Sequence, residues 1–264
     1  MKILALDFDG VISDSAPECF WVALRTLLRL RSSSQYREML GRWDDLEGRQ
    51  VRAAVSADPL YRGFLELMPL GNRAEDFGVA LLALEAGVSL ADQAAYDRYF
   101  AACDPAFAAD FHDLFYRERD AFRAADPERW VQLMRPYGEL IELLRRRSGQ
   151  AEFVIATAKD GDSVAHLIDS YQIADLFGPE RVFDKEAGRD KRTHLRAVRE
   201  HFGAEFPEIT FIDDKANHLI TARELGVRCL LAAWGYNGPR EHALARENGI
   251  EVCEIRWMES LVFD

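Results

Sequence analysis

Residues 3–10, Ile-Leu-Ala-Leu-Asp-Phe-Asp-Gly, decide the fold of this 264-residue chain. The four apolar residues form a short uninterrupted run, which is typical of a strand buried on both faces of a parallel sheet. The run ends in Asp7, and a second acid, Asp9, follows two positions later. Gly10 then allows the backbone to turn closely. The segment therefore predicts a central β-strand with carboxylates at its carboxyl end.

After residue 136, short apolar runs alternate with segments of helical periodicity. The predicted strands are at 153–157, 181–183, 209–213, 227–232 and 250–255. Alternation of this kind predicts a parallel sheet with helices on both faces, and the strand at 3–6 belongs to the same sheet. The fold class is α/β, a doubly wound parallel sheet.

Helical periodicity fills the segment between residues 16 and 130. Aromatic residues recur at helical spacing between Phe107 and Phe122, and we interpret them as core rather than as a cofactor site. The prediction is an all-helical domain, residues 16–130, inserted after the first strand. The catalytic core would then consist of residues 1–15 and 131–264.

Composition excludes several classes of function. The net charge is −12, with 45 acidic residues against 33 basic ones, which disfavours a nucleic-acid partner. The four cysteines show no CxxC spacing, as expected for reduced thiols. No stretch approaches the roughly 20 apolar residues that cross a membrane. We expect a cytoplasmic protein with no membrane partner.

Polar residues end three of the predicted strands, at Asp7, at Thr157 and at the pair Asp213-Asp214. Ligands of open α/β sheets bind beyond the carboxyl ends of the strands, so these side chains should converge. Carboxylates about 4 Å apart repel each other by roughly 1 to 4 kcal/mol. A bound Mg²⁺ ion would remove that repulsion.

The ordered set of motifs resembles that of the haloacid dehalogenase-like (HAD) hydrolase superfamily. Residues 6–15 resemble its first motif, Thr157 its second, Lys191 its third and residues 211–214 its fourth. The separation between Lys191 and Asp214 is also typical of the family. The resemblance implies a HAD-like Rossmannoid core.

The rest of the chain fits the same resemblance. The helical insertion stands where the family carries its C1-type cap, which would close to exclude water and select the substrate. Residues 231–237, after the last motif, resemble the phosphoglycolate-phosphatase-like group.

The resemblance implies a role for each motif residue. Asp7 would be the nucleophile that forms an aspartyl-phosphate, and Asp9 the general acid and then the general base. The Thr157 hydroxyl and the Ala158 amide would bind phosphate oxygens. Lys191 would neutralise the phosphoryl group and the nucleophile.

The metal implied by the resemblance is Mg²⁺. Its ligands would be Asp7, the Asp9 backbone carbonyl, Asp213 and Asp214, with Asp213 bound directly or through water. The implied activity is a Mg²⁺-dependent phosphatase acting on a small phosphorylated metabolite, as a monomer or homodimer. The alternatives are a phosphomutase of sugar phosphates that uses the same aspartates and a non-catalytic binding protein of the same fold.

Other residues exclude some activities of the superfamily and leave the roles of several lysines open. Asp9 argues against a dehalogenase, since halide needs no proton, and the absence of lysine between residues 16 and 130 argues against a phosphonatase. Lys185 competes with Lys191 for the third motif. Lys159 and Lys215 either add positive field or are surface lysines, and the histidines are interpreted as structural.

Overall fold

The computed structural model describes residues 2–31, 36–46, 48–71, 73–188 and 190–263. The chain divides into two compact units. The core unit contains the chain up to Asp14 and again from Arg135 onward. The insertion unit is Ser15–Met134.

Strands in the described residues all lie in the core unit. They are β1 (Ile3–Leu6), β2 (Ser13–Asp14), β3 (Arg135–Pro136), β4 (Glu152–Ala156), β5 (Val182–Phe183), β6 (Ile209–Asp213), β7 (Arg228–Ala232) and β8 (Glu251–Cys253). Six of them form one parallel sheet in the order β5-β4-β1-β6-β7-β8. The predicted α/β fold with a parallel sheet is confirmed.

All the regular secondary structure in the described residues of the insertion unit is helical. Its helices are α1 (Ala16–Leu30), α2 (Arg37–Asp44), α3 (Gly48–Ala57), α4 (Pro59–Leu67), α5 (Ala74–Glu85), α6 (Gln93–Ala102), α7 (Pro105–Ala125) and α8 (Pro127–Gln132). Two of the aromatic residues of α7, Phe111 and Phe115, are buried core residues as predicted, with ring centroids 6.2 Å apart, whereas Phe107 and Phe122 are partly buried.

A buried ion pair also joins α1 to α7 in this unit. Arg119 donates from Nε and Nη2 to the two carboxylate oxygens of Glu18, both at 2.8 Å. The Trp130 indole N–H donates to Glu18 Oε1 at 3.1 Å. The buried carboxylate is thus held by three donors from two other helices.

The helices of the core unit are α9 (Gly138–Arg146), α10 (Gly161–Ser170), α11 (Lys191–Phe202), α12 (Ala216–Arg223), α13 (Pro239–Glu247) and α14 (Ile255–Val262). Ile3 and Ala5 of β1 pack in one cluster with residues of α11, α12 and α13. Leu4 and Leu6, which alternate with them, are just as buried. The central strand is therefore covered on both faces, as its apolar run predicts. None of the helices among the described residues combines the length and apolar character needed to cross a membrane.

The short strands β2 and β3 form an antiparallel ladder that sequence reasoning did not predict. Ser13 pairs with Pro136 and Asp14 with Arg135. The ladder is extended by a hydrogen bond from the Tyr137 N–H to the Ile12 carbonyl at 2.9 Å. It lies where the chain leaves the core unit and where it returns, so the two connections run side by side.

Candidate active site

The sheet has one point at which the strand order reverses. Numbered in chain order among themselves, the six strands run 3-2-1-4-5-6, with β1 beside β6. Ligands of such sheets bind outside the carboxyl ends of the strands at this switch point. The register pairs Leu6 of β1 with Ile155 of β4 and with Ile212 of β6. The residues that follow these three therefore lie side by side at the switch point.

Asp7 is the first residue beyond β1. Its carboxylate Oδ1 accepts a hydrogen bond from the Phe8 N–H at 2.8 Å and lies 2.7 Å from Lys191 Nζ. Burial raises the pKa of Asp7, and the positive charge of Lys191 opposes that effect. A carboxylate held by these two contacts has a fixed orientation.

Lys191 begins α11 and reaches the ends of three strands. Its Nζ lies 2.7 Å from Asp7 Oδ1 and 3.4 Å from Asp213 Oδ2, and it donates to the Ala156 carbonyl at 2.8 Å. Burial alone would lower the pKa of Lys191, but the two carboxylates outweigh burial and raise it. Lys185, the alternative for this role, has a half-exposed side chain and lies 4.0 Å from Glu186.

Asp213, the last residue of β6, is completely buried. His218 Nδ1 lies 3.0 Å from its Oδ2, and the Lys215 N–H donates to its Oδ1 at 2.8 Å. Although burial acts to raise the pKa of Asp213, His218 and Lys191 hold it well below its ordinary value. Asp213 is therefore a permanent negative charge inside the core unit.

Asp214 is buried next to Asp213 and has a different environment. Its Oδ2 accepts a hydrogen bond from the Tyr236 N–H at 2.8 Å. Its Oδ1 has no hydrogen-bond partner among the described residues. Burial, then the charge of Asp213, and to a lesser degree that of Asp7, raise the pKa of Asp214 to about 8. The two neighbouring acids thus shift in opposite directions, with the pKa of Asp213 lowered and that of Asp214 raised.

Two glycines pack directly against Asp214. A Cβ atom on Gly10 would lie 2.4 Å from Asp214 Oδ2, and Gly10 has a φ of +81°. A Cβ atom on Gly235 would lie 2.3 Å from the Asp214 Cβ. The backbone therefore approaches this carboxylate more closely than any side chain would permit.

The segment 234–237 fastens the loop after β1 to the acidic pair. The Trp234 indole N–H donates to the Val11 carbonyl at 3.0 Å. The Asn237 amide donates to the Asp214 carbonyl at 2.9 Å. Sequence reasoning noted this segment only as a family resemblance. Its hydrogen bonds show that it positions both acidic loops.

The Asp9 side chain is paired with a different lysine, Lys159. Its carboxylate is 33% exposed, and its Oδ1 and Oδ2 lie 3.2 and 3.3 Å from Lys159 Nζ. Thr157, buried at the end of β4, accepts a hydrogen bond at Oγ1 from the Lys159 N–H at 3.2 Å. Ala158 is exposed between them. The candidate acid is thus next to the candidate phosphate-binding turn.

The chemistry of these groups fits a hard divalent cation. In the part of the chain that the structure describes, the ligand atoms of Asp7, Asp213 and His218 lie within 4.8 Å of one another. The unpartnered Asp214 Oδ1 and its raised pKa are also what carboxylates show when a compensating cation is missing. The Asp9 carboxylate does not belong to this group.

Sequence reasoning missed one residue next to the acids, His218, and left the role of another, Lys159, open. His218 was interpreted as structural, yet its imidazole contacts Asp213. Its spacing, one helical turn after Asp214 in the helix that follows the acidic pair, was a usable signal. Lys159 was left open as a surface lysine, and that alternative is wrong because its side chain is 1% exposed.

The switch point of the doubly wound sheet thus brings together three buried acids and a buried lysine. A family model described as haloacid dehalogenase-like hydrolase matches residues 1–226. The chain belongs to this family of hydrolases.

Solved structures of the same fold cover nearly the whole chain. A haloacid dehalogenase-like family hydrolase from Streptococcus pneumoniae has 13% identity and a TM-score of 0.62, over 99% of this chain and 97% of that one. A predicted phosphoglycolate phosphatase from Haemophilus somnus has 15% identity and a TM-score of 0.59, over 99% and 97%. A predicted phosphatase from Clostridium acetobutylicum has 15% identity and a TM-score of 0.57, over 96% and 93%. At these identities the likeness establishes the fold. No curated protein matches the chain.

Proposed function

We propose that this hydrolase is a Mg²⁺-dependent phosphatase that acts on a small phosphomonoester through an aspartyl-phosphate on Asp7. One arrangement supports the proposal above all. The buried Asp7 carboxylate is paired with Lys191 at 2.7 Å, at the switch point of the sheet. A second acid, Asp9, follows two residues later on the same loop. A nucleophile and a separate acid are what phosphoester hydrolysis requires, whereas a binding protein needs neither.

The proposed reaction has two displacements at phosphorus. First, an Asp7 oxygen attacks phosphorus in line, the bond to the leaving oxygen breaks, and Asp9 gives that oxygen a proton. Then Asp9 takes a proton from a water molecule as the water oxygen attacks the aspartyl-phosphate. Inorganic phosphate leaves and the Asp7 carboxylate is restored.

The remaining residues of the site manage charge and orientation. Lys191 would compensate the phosphoryl group as it approaches Asp7, and the Thr157 hydroxyl and the Ala158 amide would bind its oxygens. Mg²⁺, held by Asp7, Asp213, Asp214 and the Asp9 carbonyl, would supply positive charge against the repulsion between acids and substrate.

The substrate class rests on weaker support. Two proteins of the same fold are described as a predicted phosphoglycolate phosphatase and a predicted phosphatase. Their names favour a phosphomonoester for this chain as well. Phosphoglycolate, sugar phosphates and nucleoside monophosphates are therefore the first substrates to compare.

The test is release of inorganic phosphate from 4-nitrophenyl phosphate with Mg²⁺. We expect turnover by the wild type, and only background with EDTA or in Asp7→Asn. Asp169→Asn, which removes an exposed carboxylate, serves as the matched control and should retain full activity. Turnover that survives Asp7→Asn would contradict the aspartyl-phosphate. Transfer of phosphate to a sugar phosphate without release to water would indicate a mutase instead.

A further inference from the structure

Lys159 is a buried cation that the roles assigned so far do not use. Its side chain is 1% exposed, and its ammonium group lies 3.2 and 3.3 Å from the two carboxylate oxygens of Asp9. Both residues belong to the core unit. The contact spans strands β1 and β4, because Lys159 follows the end of β4 and Asp9 follows the end of β1.

Burial of an ammonium group has a cost of several kcal/mol unless the charge is paired. Lysines at turns after strands are ordinarily solvated, so the burial of this one calls for a partner. The backbone of Lys159 is itself fixed, since its N–H donates to Thr157 Oγ1 and its carbonyl accepts from the Lys185 N–H at 3.4 Å. The ammonium group is therefore held at a defined place beside Asp9.

The two acids of the first motif thus have separate lysines. Lys191 is paired with Asp7 at 2.7 Å, and Lys159 is paired with Asp9. Asp9 carries a third of its side chain in solvent, so without a partner its carboxyl group would rotate between rotamers. Contact with both of its oxygens restricts that rotation.

We propose that Lys159 is a positioning residue that holds the Asp9 carboxyl group in the orientation needed for proton transfer to the leaving oxygen. The inference rests on the proposed phosphatase function. Proton transfer requires the carboxyl group to be within hydrogen-bond reach of the leaving oxygen, so loss of orientation reduces the rate of that step. Esters whose leaving group needs no proton should be affected much less.

The experiment compares two aryl esters of nearly equal size, phenyl phosphate and 4-nitrophenyl phosphate, with the full-length chain and Mg²⁺. Phenol is a poor leaving group unless it is protonated, whereas 4-nitrophenol leaves readily as an anion. In Lys159→Met we expect kcat/KM for phenyl phosphate to fall by roughly 10²-fold and that for 4-nitrophenyl phosphate by less than about 10-fold. Lys159→Arg, which restores the charge, should recover most of the loss.

Three further variants separate a loss of positioning from a general loss of activity. Asp9→Asn removes the acid itself, and Lys159→Met added to it should cause no more than about a threefold further loss. This double variant also removes both charges of the pair, so it does not leave an unpaired Asp9 carboxylate as Lys159→Met alone does. Lys185→Met, at a half-exposed neighbouring lysine, is the matched control and should leave both rates unchanged.

The outcomes are distinct. Equal losses for the two esters, or a full additional loss in the Asp9→Asn background, would overturn the role of Lys159 while leaving the phosphatase intact. A wild type that hydrolyses neither ester would overturn the proposed function and this inference with it. A larger loss for phenyl phosphate that disappears without Asp9 is the supporting result.

Discussion

Asp214 is a buried acid with one oxygen lacking any hydrogen-bond partner among the described residues. The buried Asp214 carboxyl group should therefore lower the stability of the metal-free protein by a measurable amount. We expect Asp214→Asn to raise the free energy of unfolding of the metal-free protein by about 1 kcal/mol or more, because an amide avoids the cost of burying an acid, and of placing it next to Asp213. The same change should abolish stabilisation by Mg²⁺.

Urea unfolding with EDTA and with Mg²⁺ tests this expectation, with Asp169→Asn as the exposed control. Greater stability of the variant in EDTA, together with loss of the Mg²⁺ effect, is the predicted pair of results. A variant that is less stable in EDTA and still responds to Mg²⁺ would show that Asp214 is satisfied without a cation.

Adding one carbon atom at Gly10 tests how tightly the backbone encloses the Asp214 carboxylate. Gly10 and Gly149 have nearly the same φ, +81° and +83°, but only at Gly10 would a Cβ atom meet a neighbour, the Asp214 carboxylate. Gly149→Ala should therefore cost only the roughly 1 to 2 kcal/mol of left-handed backbone strain. Gly10→Ala should cost about 1 to 3 kcal/mol more and weaken the response to Mg²⁺.

Chemical denaturation of the two variants provides the comparison. Equal losses of unfolding free energy in Gly10→Ala and Gly149→Ala would mean that Asp214 can move aside freely. That result would contradict a tightly enclosed acidic pair.

At the scale of the element, α11 contains a histidine that links folding to pH. His194 is buried, and its Nε2 lies 2.9 Å from the Asp184 carbonyl. Burial and then the nearby Lys191 charge lower the pKa of His194 to about 4. The unfolded chain, with an ordinary histidine, therefore binds more protons than the folded chain between about pH 4 and pH 6.5.

Stability should accordingly fall as the pH drops from 6.5 towards 4, by an amount on the order of 2 to 3 kcal/mol from this residue. His194→Gln should have a flatter profile over this range, measured by urea unfolding at several pH values. His166→Gln, at an exposed position of α10, is the control. If the free energy of unfolding depended on pH in the same way in the wild type and in His194→Gln, the lowered pKa of His194 would be contradicted.

The buried ion pair between Glu18 of α1 and Arg119 of α7 also has a testable consequence for stability. Arg119→Met would leave the Glu18 carboxylate buried without its charge partner, so we expect a loss of about 3 to 5 kcal/mol in unfolding free energy. Adding Glu18→Gln should recover much of that loss, because the remaining amide carries no charge. Arg42→Met, at an exposed pair with Glu38 in the same unit, should change stability by less than about 1 kcal/mol. No recovery in the double variant would argue against the buried charge as the cause.

Features that depend on neighbouring residues could be predicted from the sequence, whereas contacts between distant residues could not. Strand β1 and the acids at its end could be predicted because an apolar run and its last residue are local features. The contact of Lys159 with Asp9 could not, since it joins residues 150 positions apart and a lysine at a turn is ordinarily exposed. The ladder of β2 and β3 was missed because two residues on each side carry no periodicity.

At the scale of the whole molecule, the ladder predicts that the core unit folds alone. Asp14 and Arg135 are paired neighbours on antiparallel strands, so a two-residue Asn-Gly turn can join them as a hairpin. A chain in which this turn replaces residues 15–134 should unfold cooperatively in urea and respond to Mg²⁺. A molten product without a cooperative transition would show that the core unit depends on the insertion unit.

At the level of the gene, the position of the ladder means that residues 15–134 are encoded by one contiguous segment, a cassette that can be exchanged as a unit. Every residue that we have assigned to the site lies outside this one contiguous stretch, which both begins and ends at the ladder. A recombination event could therefore replace the whole cassette in one step without altering a catalytic codon. The reverse also holds, since no change confined to the cassette can restore a lost Asp7 or Lys191.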